Sequence, residues 1–221
     1  MIYASNLCHE IAQNVGFTNL AEEIINEDGT ITTKTNTGDM VTCNLNSISL
    51  GRISDEELEE NIALQIRMLD NVISINQAPV PESRMTSDKY RAIGLGTSGY
   101  HHYLVNHDIQ WESDEHIEVA DKLFENIAYY SIKASMELAK EKGAYPAFKG
   151  SEWETGEYFT RRGYTSDRWK QLAADVAKYG IRNGYLMAVA PTGSTSNIAN
   201  TTAGIDPIFK KFFIEEKKGS F

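Results

Sequence analysis

The chain has 221 residues, of which 41% are hydrophobic and 24% charged, with a formal net charge of −10. That length suits one large domain or two small ones with ample apolar material for a core, and the acidic balance argues against a phosphate-backbone binder, which would need a basic patch. Two cysteines, Cys8 and Cys43, are too few for a disulfide scaffold and too far apart for a metal knuckle.

Residues 1–11 read as strand or extended loop. In "YASNLCHEI" an extended backbone puts Asn6, Cys8 and Glu10 on one face and Leu7, His9 and Ile11 on the other. Two readings stay open: a thiol set between an amide and a proton-exchanging carboxylate, or an ordinary strand with a buried cysteine. Residues 26–40, with Asp28-Gly29, predict a surface hairpin or loop. Residues 41–50 have strand character, with Cys43, Leu45 and Ser47 on one face. Ser54 and Glu57 form a capping-box pattern, and Leu58, Ile62, Leu69 and Ile73 carry a helical period to about Ile75, ended by Pro79 and Pro81. "GLGTSG" (94–99) predicts a Gly-rich turn opening a short aromatic helix over 100–106. Ser113 caps the longest helix, which runs to about Lys142 with Ile117, Leu123, Ile127, Ala134 and Leu138 inward and Gly143 as stop. Residues 143–164 are irregular and aromatic. Ser166 starts a helix through Trp169 to Tyr179, stopped by Gly180. Residues 184–190 read as a buried strand running into "PTGSTSN", and the tail from Pro207 begins as another element, with Ile208, Phe209, Phe212 and Phe213 adding apolar surface. Strands alternating with long helices give an α/β plan, with no linker that would divide 1–221 into independent domains.

Several motifs compete for a chemical reading. "GLGTSG" fits G-x-G-x-x-G at Gly94, Gly96 and Gly99, but the charged "KYRAI" before it is no buried strand, so close helix–strand packing is the better reading. "APTGSTSN" places Gly193 among Thr192, Ser194, Thr195 and Ser196 after Pro191. Free N–H groups at such a helix start can hold phosphate. A plain capped turn is the alternative, although four hydroxyls exceed what one cap needs. His101, His102, His107 and His116 lack metal-ligand spacing, and no metal site is expected. A Cys8–His9 nucleophile pair fails because strand neighbours face opposite ways. Trp153, Tyr158, Phe159 and Tyr164 with Arg161 and Arg162 could form a nucleic-acid stacking surface, but Glu152, Glu154 and Glu157 favour a partly buried loop. With no apolar run of membrane length and no secretory signal, neither nucleic acid nor membrane is an expected partner, and a reducing cytoplasm is the expected compartment.

Taken in order, "SNLCHEI", "CNLNSISLG", "RAIGLGTSG", "YYSIKASMELAKEKG", "YGIRNGYLMAVAPTGSTSNI" and "GIDPIF" resemble the catalytic (large) subunit of ribonucleotide reductase over nearly the whole chain. The resemblance implies part of a ten-stranded α/β barrel, a finger loop plus second half-barrel. It makes Cys8 the thiyl-radical site that abstracts the ribose 3′ hydrogen, Glu10 the base for the 3′-OH proton, and Asn6 a hydrogen-bonding partner of the sugar. Cys43 matches one member of the redox pair that reduces the 2′ position. Substrate would lie against Asn6, Leu7, Cys8, His9 and Glu10, with its phosphates on Pro191, Thr192, Gly193, Ser194 and Thr195.

The second redox cysteine and the nucleotide-sensing region belong upstream of Cys8 in the family, and the radical-relay tyrosines and C-terminal cysteines downstream of residue 221. The expectation is therefore a central-to-C-terminal segment of a split or truncated class I-like subunit, inactive alone. Its implied partners are a ribonucleoside diphosphate, the N- and C-terminal parts of the large subunit, a radical-generating small subunit and a thioredoxin- or glutaredoxin-like reductant. No cofactor binds the segment directly; the radical comes from a metal-containing small subunit or, alternatively, from adenosylcobalamin. Two other classes compete: a non-catalytic nucleotide-phosphate-binding domain and a cysteine-dependent transferase or hydrolase.

Overall fold

The structure is a computed structural model that describes residues 4–212 and residue 214. Its elements run β1 (Ala4–Ser5), β2 (Ala12–Gln13), β3 (Asn19–Ile25), β4 (Ile31–Asn36), β5 (Asn44–Ser49), α1 (Leu58–Ile75), α2 (Pro81–Tyr90), β6 (Ile93–Ser98) and α3 (Tyr100–Asn106). They continue with α4 (Asp114–Lys142), α5 (Glu152–Thr155), α6 (Glu157–Arg161), α7 (Asp167–Tyr179) and α8 (Gly193–Ile198).

Helix boundaries follow local chemistry. Glu57 accepts from the Ser54 N–H at 2.9 Å, completing the capping box ahead of α1. Ser113 Oγ accepts from the His116 N–H at 3.1 Å to open α4, and Gly143 and Gly180 follow the last residues of α4 and α7. Pro81 departs from expectation. It starts α2 at the first helical position, where its missing N–H has no intrahelical acceptor to lose.

β5 and β6 pair in parallel from Asn44↔Ile93 to Ser49↔Ser98. Parallel neighbours need a crossover, and α1 with α2 supplies it. The other edge of β6 is taken by residues 185–188: the Ile93 N–H donates to Tyr185 C=O at 3.0 Å and the Ala188 N–H to Leu95 C=O at 3.0 Å. The expected turn at 94–99 is thus a strand, buried along its whole length. The reason lies in its glycines. A Cβ at Gly94 would fall 2.5 Å from Leu45 Cδ2 and 2.7 Å from Cys43 Sγ, and one at Gly96 would fall 2.8 Å from the Ala188 carbonyl oxygen. The "GLG" spacing records close packing on both sides. Among the described residues the ladders are β1–β2, β3–β4 and β5–β6, and they do not close into a barrel.

Helix α1 packs against this sheet, α4 packs on α1, and α7 packs on α4. Ile48, Ile62, Ile66, Ile93, Ile132, Trp169 and Val176 are fully buried in one core, each side chain contributing roughly 1.5–3 kcal/mol by leaving water. Ile117, expected inward, is exposed in the first turn of α4, beyond the reach of the core. The aromatic segment is more regular than the expected loop. It forms α5 and α6, with Trp153 stacked on Tyr158 at 3.7 Å and Tyr164 on Trp169 at 3.8 Å. The β3–β4 hairpin is exposed at every strand residue, with Asp28 accepting from the Thr30 N–H in its turn. Ile208, Phe209 and Phe212 are exposed and outside regular elements; Phe213 lies outside the described residues.

A buried ion cluster ties the layers together. Asp70 on α1 accepts from Arg91 Nε at 2.7 Å, Arg182 Nε at 3.1 Å, Lys142 Nζ at 3.2 Å and Asn183 Nδ2 at 3.3 Å. Arg91 precedes β6, and Arg182 and Asn183 precede the strand segment 185–188. The cluster therefore fixes the starts of two neighbouring strands against α1.

Candidate functional site

β1 and β2 pair antiparallel, Ala4↔Gln13 and Ser5↔Ala12, and residues 6–11 close the hairpin between them. Two-residue strands cannot keep a six-residue connection extended, so the expected common face of Asn6, Cys8 and Glu10 is not formed. Asn6 instead organises a turn. Its Oδ1 accepts from the Ile11 N–H at 3.0 Å, its carbonyl from the His9 N–H at 3.1 Å, and its Nδ2 donates to Glu10 Oε1. His9 takes a left-handed backbone, φ 66°, with Nδ1 2.6 Å from Ser5 Oγ. Leu7 and Cys8 stand at the tip; Leu7 is 93% exposed, and Cys8 is a free, exposed thiol. The reading of Cys8 as a buried strand cysteine is therefore set aside.

Glu10 points inward. Its second oxygen is buried with no hydrogen-bond partner among the described residues, an arrangement that costs free energy unless a donor arrives. It lines a cavity of about 490 Å³ with Gly96, Thr97, Met187 and Ala188, and a smaller one of about 200 Å³ with Trp153, Tyr158 and Arg162. Cys43 sits at the entry to β5 on the face shared with Leu45 and Ser47; its Sγ and Leu45 lie against Gly94, and Ser47 lies against Gly96. Burial, with the neighbouring Glu10 charge adding to it, pushes the Cys43 thiol up to about 12. Asn6, Glu10 and Cys43 are thus brought together, while Cys8 occupies the exposed tip above them.

The cavity wall at Ala188 and Val189 runs directly into 191–195. Thr192 is buried and sits at the N-cap of α8, yet its Oγ1 does not cap the helix; it accepts from the Gly204 N–H at 2.6 Å. The first intrahelical bond is Ser196 N–H to Thr192 C=O at 2.8 Å. The amides of Gly193, Ser194 and Thr195 precede it, as in any first turn, and these residues are exposed with Pro191. The 200–204 segment buttresses this end: the Gly99 N–H donates to Thr202 C=O at 2.7 Å, and His102 Nδ1 lies 3.0 Å from Thr201 Oγ1. His101 stacks on Trp111 at 5.3 Å. Among the described residues no group of three or more His, Cys, Asp or Glu side chains could hold a metal ion, and none of their helices is long and apolar enough to cross a membrane.

Sequence reasoning passed over Gln13 and Tyr185. Gln13 is 1% exposed and donates from Nε2 to Thr42 C=O at 2.6 Å; Tyr185 Oη accepts from the Asn14 N–H at 2.8 Å. The available signal was a polar residue two positions after Ile11, on the inward alternation.

The family described as "Ribonucleotide reductase, barrel domain" matches residues 1–221. A ribonucleoside-diphosphate reductase subunit alpha of Treponema pallidum is 54% identical over 99% of this chain and 27% of its own length. Proteins of the same description from Helicobacter pylori (strain J99) and Chlamydia pneumoniae are 36% and 34% identical, over 98% and 97% of this chain and 34% and 21% of their own lengths. The chain thus spans about a fifth to a third of the length of these relatives.

Proposed function

The chain belongs to the ribonucleotide reductase barrel-domain family, and from that premise we propose that it carries the radical loop and one reducing thiol of a ribonucleoside-diphosphate reductase active site. The activity is that of an assembly with the remaining parts of the catalytic subunit, forming deoxyribonucleotides for DNA synthesis in the cytoplasm. A metal-containing partner subunit supplies the oxidising equivalent that makes Cys8 a thiyl radical.

Cys8 then takes the 3′ hydrogen of the ribose, a step that suits a thiol because its hydrogen is lost and returned at modest energetic cost. Glu10 takes the 3′-OH proton, its free buried oxygen being an acceptor without a donor. Asn6 holds Glu10 in place and bonds the sugar from the same amide. The 2′ hydroxyl leaves as water, and Cys43 with a second thiol from another part of the subunit supplies two electrons and ends as a disulfide. A thiol pushed up to about 12 is protonated at neutral pH, so Cys43 brings a proton as well as an electron. A thioredoxin- or glutaredoxin-like protein then restores the dithiol. The substrate diphosphate rests on the amides of Gly193, Ser194 and Thr195 in the first turn of α8, just after Pro191, while Leu7 and His9 shape the loop on either side of Cys8.

The observation that carries this reading is the hydrogen-bonded Asn6–Glu10 pair, with Glu10 close enough for its charge to act on the Cys43 thiol. The test uses the assembled, radical-competent complex with 3′-tritiated substrate. Cys8→Ser abolishes tritium loss, because an alcohol O–H is too strong to enter the radical chain. Cys43→Ser retains tritium loss but releases free base and inactivates. Tritium exchange in Cys8→Ser, or normal dithiol-driven turnover in Cys43→Ser, would refute the assignment.

A further inference from the structure

Among the described residues, the second leg of the hairpin carries the buried attachment of the radical loop to the body of the protein. On the first leg, Ala4 is exposed and Ser5 only half-buried. On the second leg Ile11 and Gln13 are buried, at 4% and 1% exposure. Two hydrogen bonds from consecutive residues clamp that leg between two segments, one leading into β5 and one that lies along β6. Gln13 Nε2 donates to Thr42 C=O at 2.6 Å, one residue before Cys43. The Asn14 N–H donates to Tyr185 Oη at 2.8 Å, one residue before Leu186 and Met187 in the wall of the smaller Glu10 cavity.

Packing alone does not account for glutamine at this position. An apolar side chain would fill a fully buried site without a polar group to satisfy. Here the Oε1 of Gln13 is buried with no hydrogen-bond partner among the described residues, which is a net cost to the fold. The amide is retained where its Nε2 ties the loop to the segment that carries the other cysteine into β5. Glu10 lies three residues before Gln13, so the tether sets how close the carboxylate stands to Cys43.

We propose that Gln13 and Tyr185 are positioning residues that hold the 6–11 loop against the Cys43 segment at the entry to β5, and so keep Glu10 beside the Cys43 thiol. The functional weight of this inference rests on the reductase reading above, whereas the tether itself is a property of the chain alone.

The experiment measures alkylation of Cys43 by iodoacetamide in the 221-residue chain as a pH profile, in a Cys8→Ser background so that one thiol reports. Gln13→Met keeps the buried volume and removes the donor. Tyr185→Phe removes one hydroxyl and serves as the second variant should Gln13→Met fold poorly. Each variant is expected to raise the Cys43 alkylation rate at pH 8 by about tenfold or more, as a loosened loop withdraws the Glu10 charge and admits water, with the titration midpoint moving down. A merely structural loss would lower the melting temperature and leave the profile of the folded fraction in place. A profile unchanged in both folded variants overturns the proposal. Because this readout requires no turnover, its failure is distinct from failure of the tritium test, which bears on the reductase reading.

Discussion

Replacing Asp70 by alanine tests the central ion cluster and its magnitude can be worked from the contacts. The carboxylate is fully buried and faces three cations, of which Arg91 is 8% exposed, Arg182 14% and Lys142 31%. Arg182 and Lys142 can turn toward water when the carboxylate is lost. Arg91 cannot do so as readily, although it keeps the Asp70 carbonyl at 2.8 Å and Ser74 Oγ at 2.9 Å. Breaking a buried pair by removing one partner costs roughly 3–5 kcal/mol, and the retained contacts place this case near the lower end, about 3 kcal/mol. With a urea slope of about 2 kcal/mol/M, the unfolding midpoint drops by about 1.5 M, read by tryptophan fluorescence at pH 7. Burial acts to raise the Asp70 carboxyl, but the Arg91 hydrogen bond and charge, followed by Arg182 and Lys142, outweigh it and hold the group below its ordinary value. A depressed folded-state value stabilises above the unfolded value near pH 4 and is lost as pH falls through the folded one. The gap between wild type and Asp70→Ala therefore narrows in acid. A midpoint shift under about 0.3 M, or a gap that stays constant down to pH 2, would refute the reasoning.

Two other outcomes follow from the same geometry. In the wild-type chain at pH 8, Cys43 reacts with iodoacetamide about a thousandfold more slowly than free cysteine, because a thiol near 12 carries that much less thiolate than one near 8.5; a rate within tenfold of free cysteine would count against the buried, Glu10-facing placement. Gly96→Ala places a Cβ 2.8 Å from the Ala188 carbonyl oxygen and should cost about 1–3 kcal/mol by overpacking, measured by thermal melting, whereas Gly193→Ala, with nothing within 4 Å of the added carbon, should cost far less.

Local chemistry made much of this protein legible from its residues alone. The Ser54–Glu57 box, the Ser113 cap and the Gly143 and Gly180 stops each depend on groups within a turn of one another, so sequence spacing is spatial spacing. The pairing of "SNLCHEI" with "CNLNSISLG" and "PTGSTS" likewise identified the family, because those residues recur in a set order along the chain. Tertiary structure decided the rest. "GLGTSG" reads as a turn until β5 and 185–188 close on its two sides, since glycine promises a bend in isolation and a tight strand contact when neighbours press on it. Asn6, Cys8 and Glu10 alternate on paper, yet a hairpin closing between two short strands leaves Cys8 exposed at its tip and turns one Glu10 oxygen inward. Asp70, Gln13 and Tyr185 gave little sign in sequence, because their partners lie 21 to 171 positions away; only the folded chain brings a carboxylate to three cations, or an amide to the carbonyl beside Cys43.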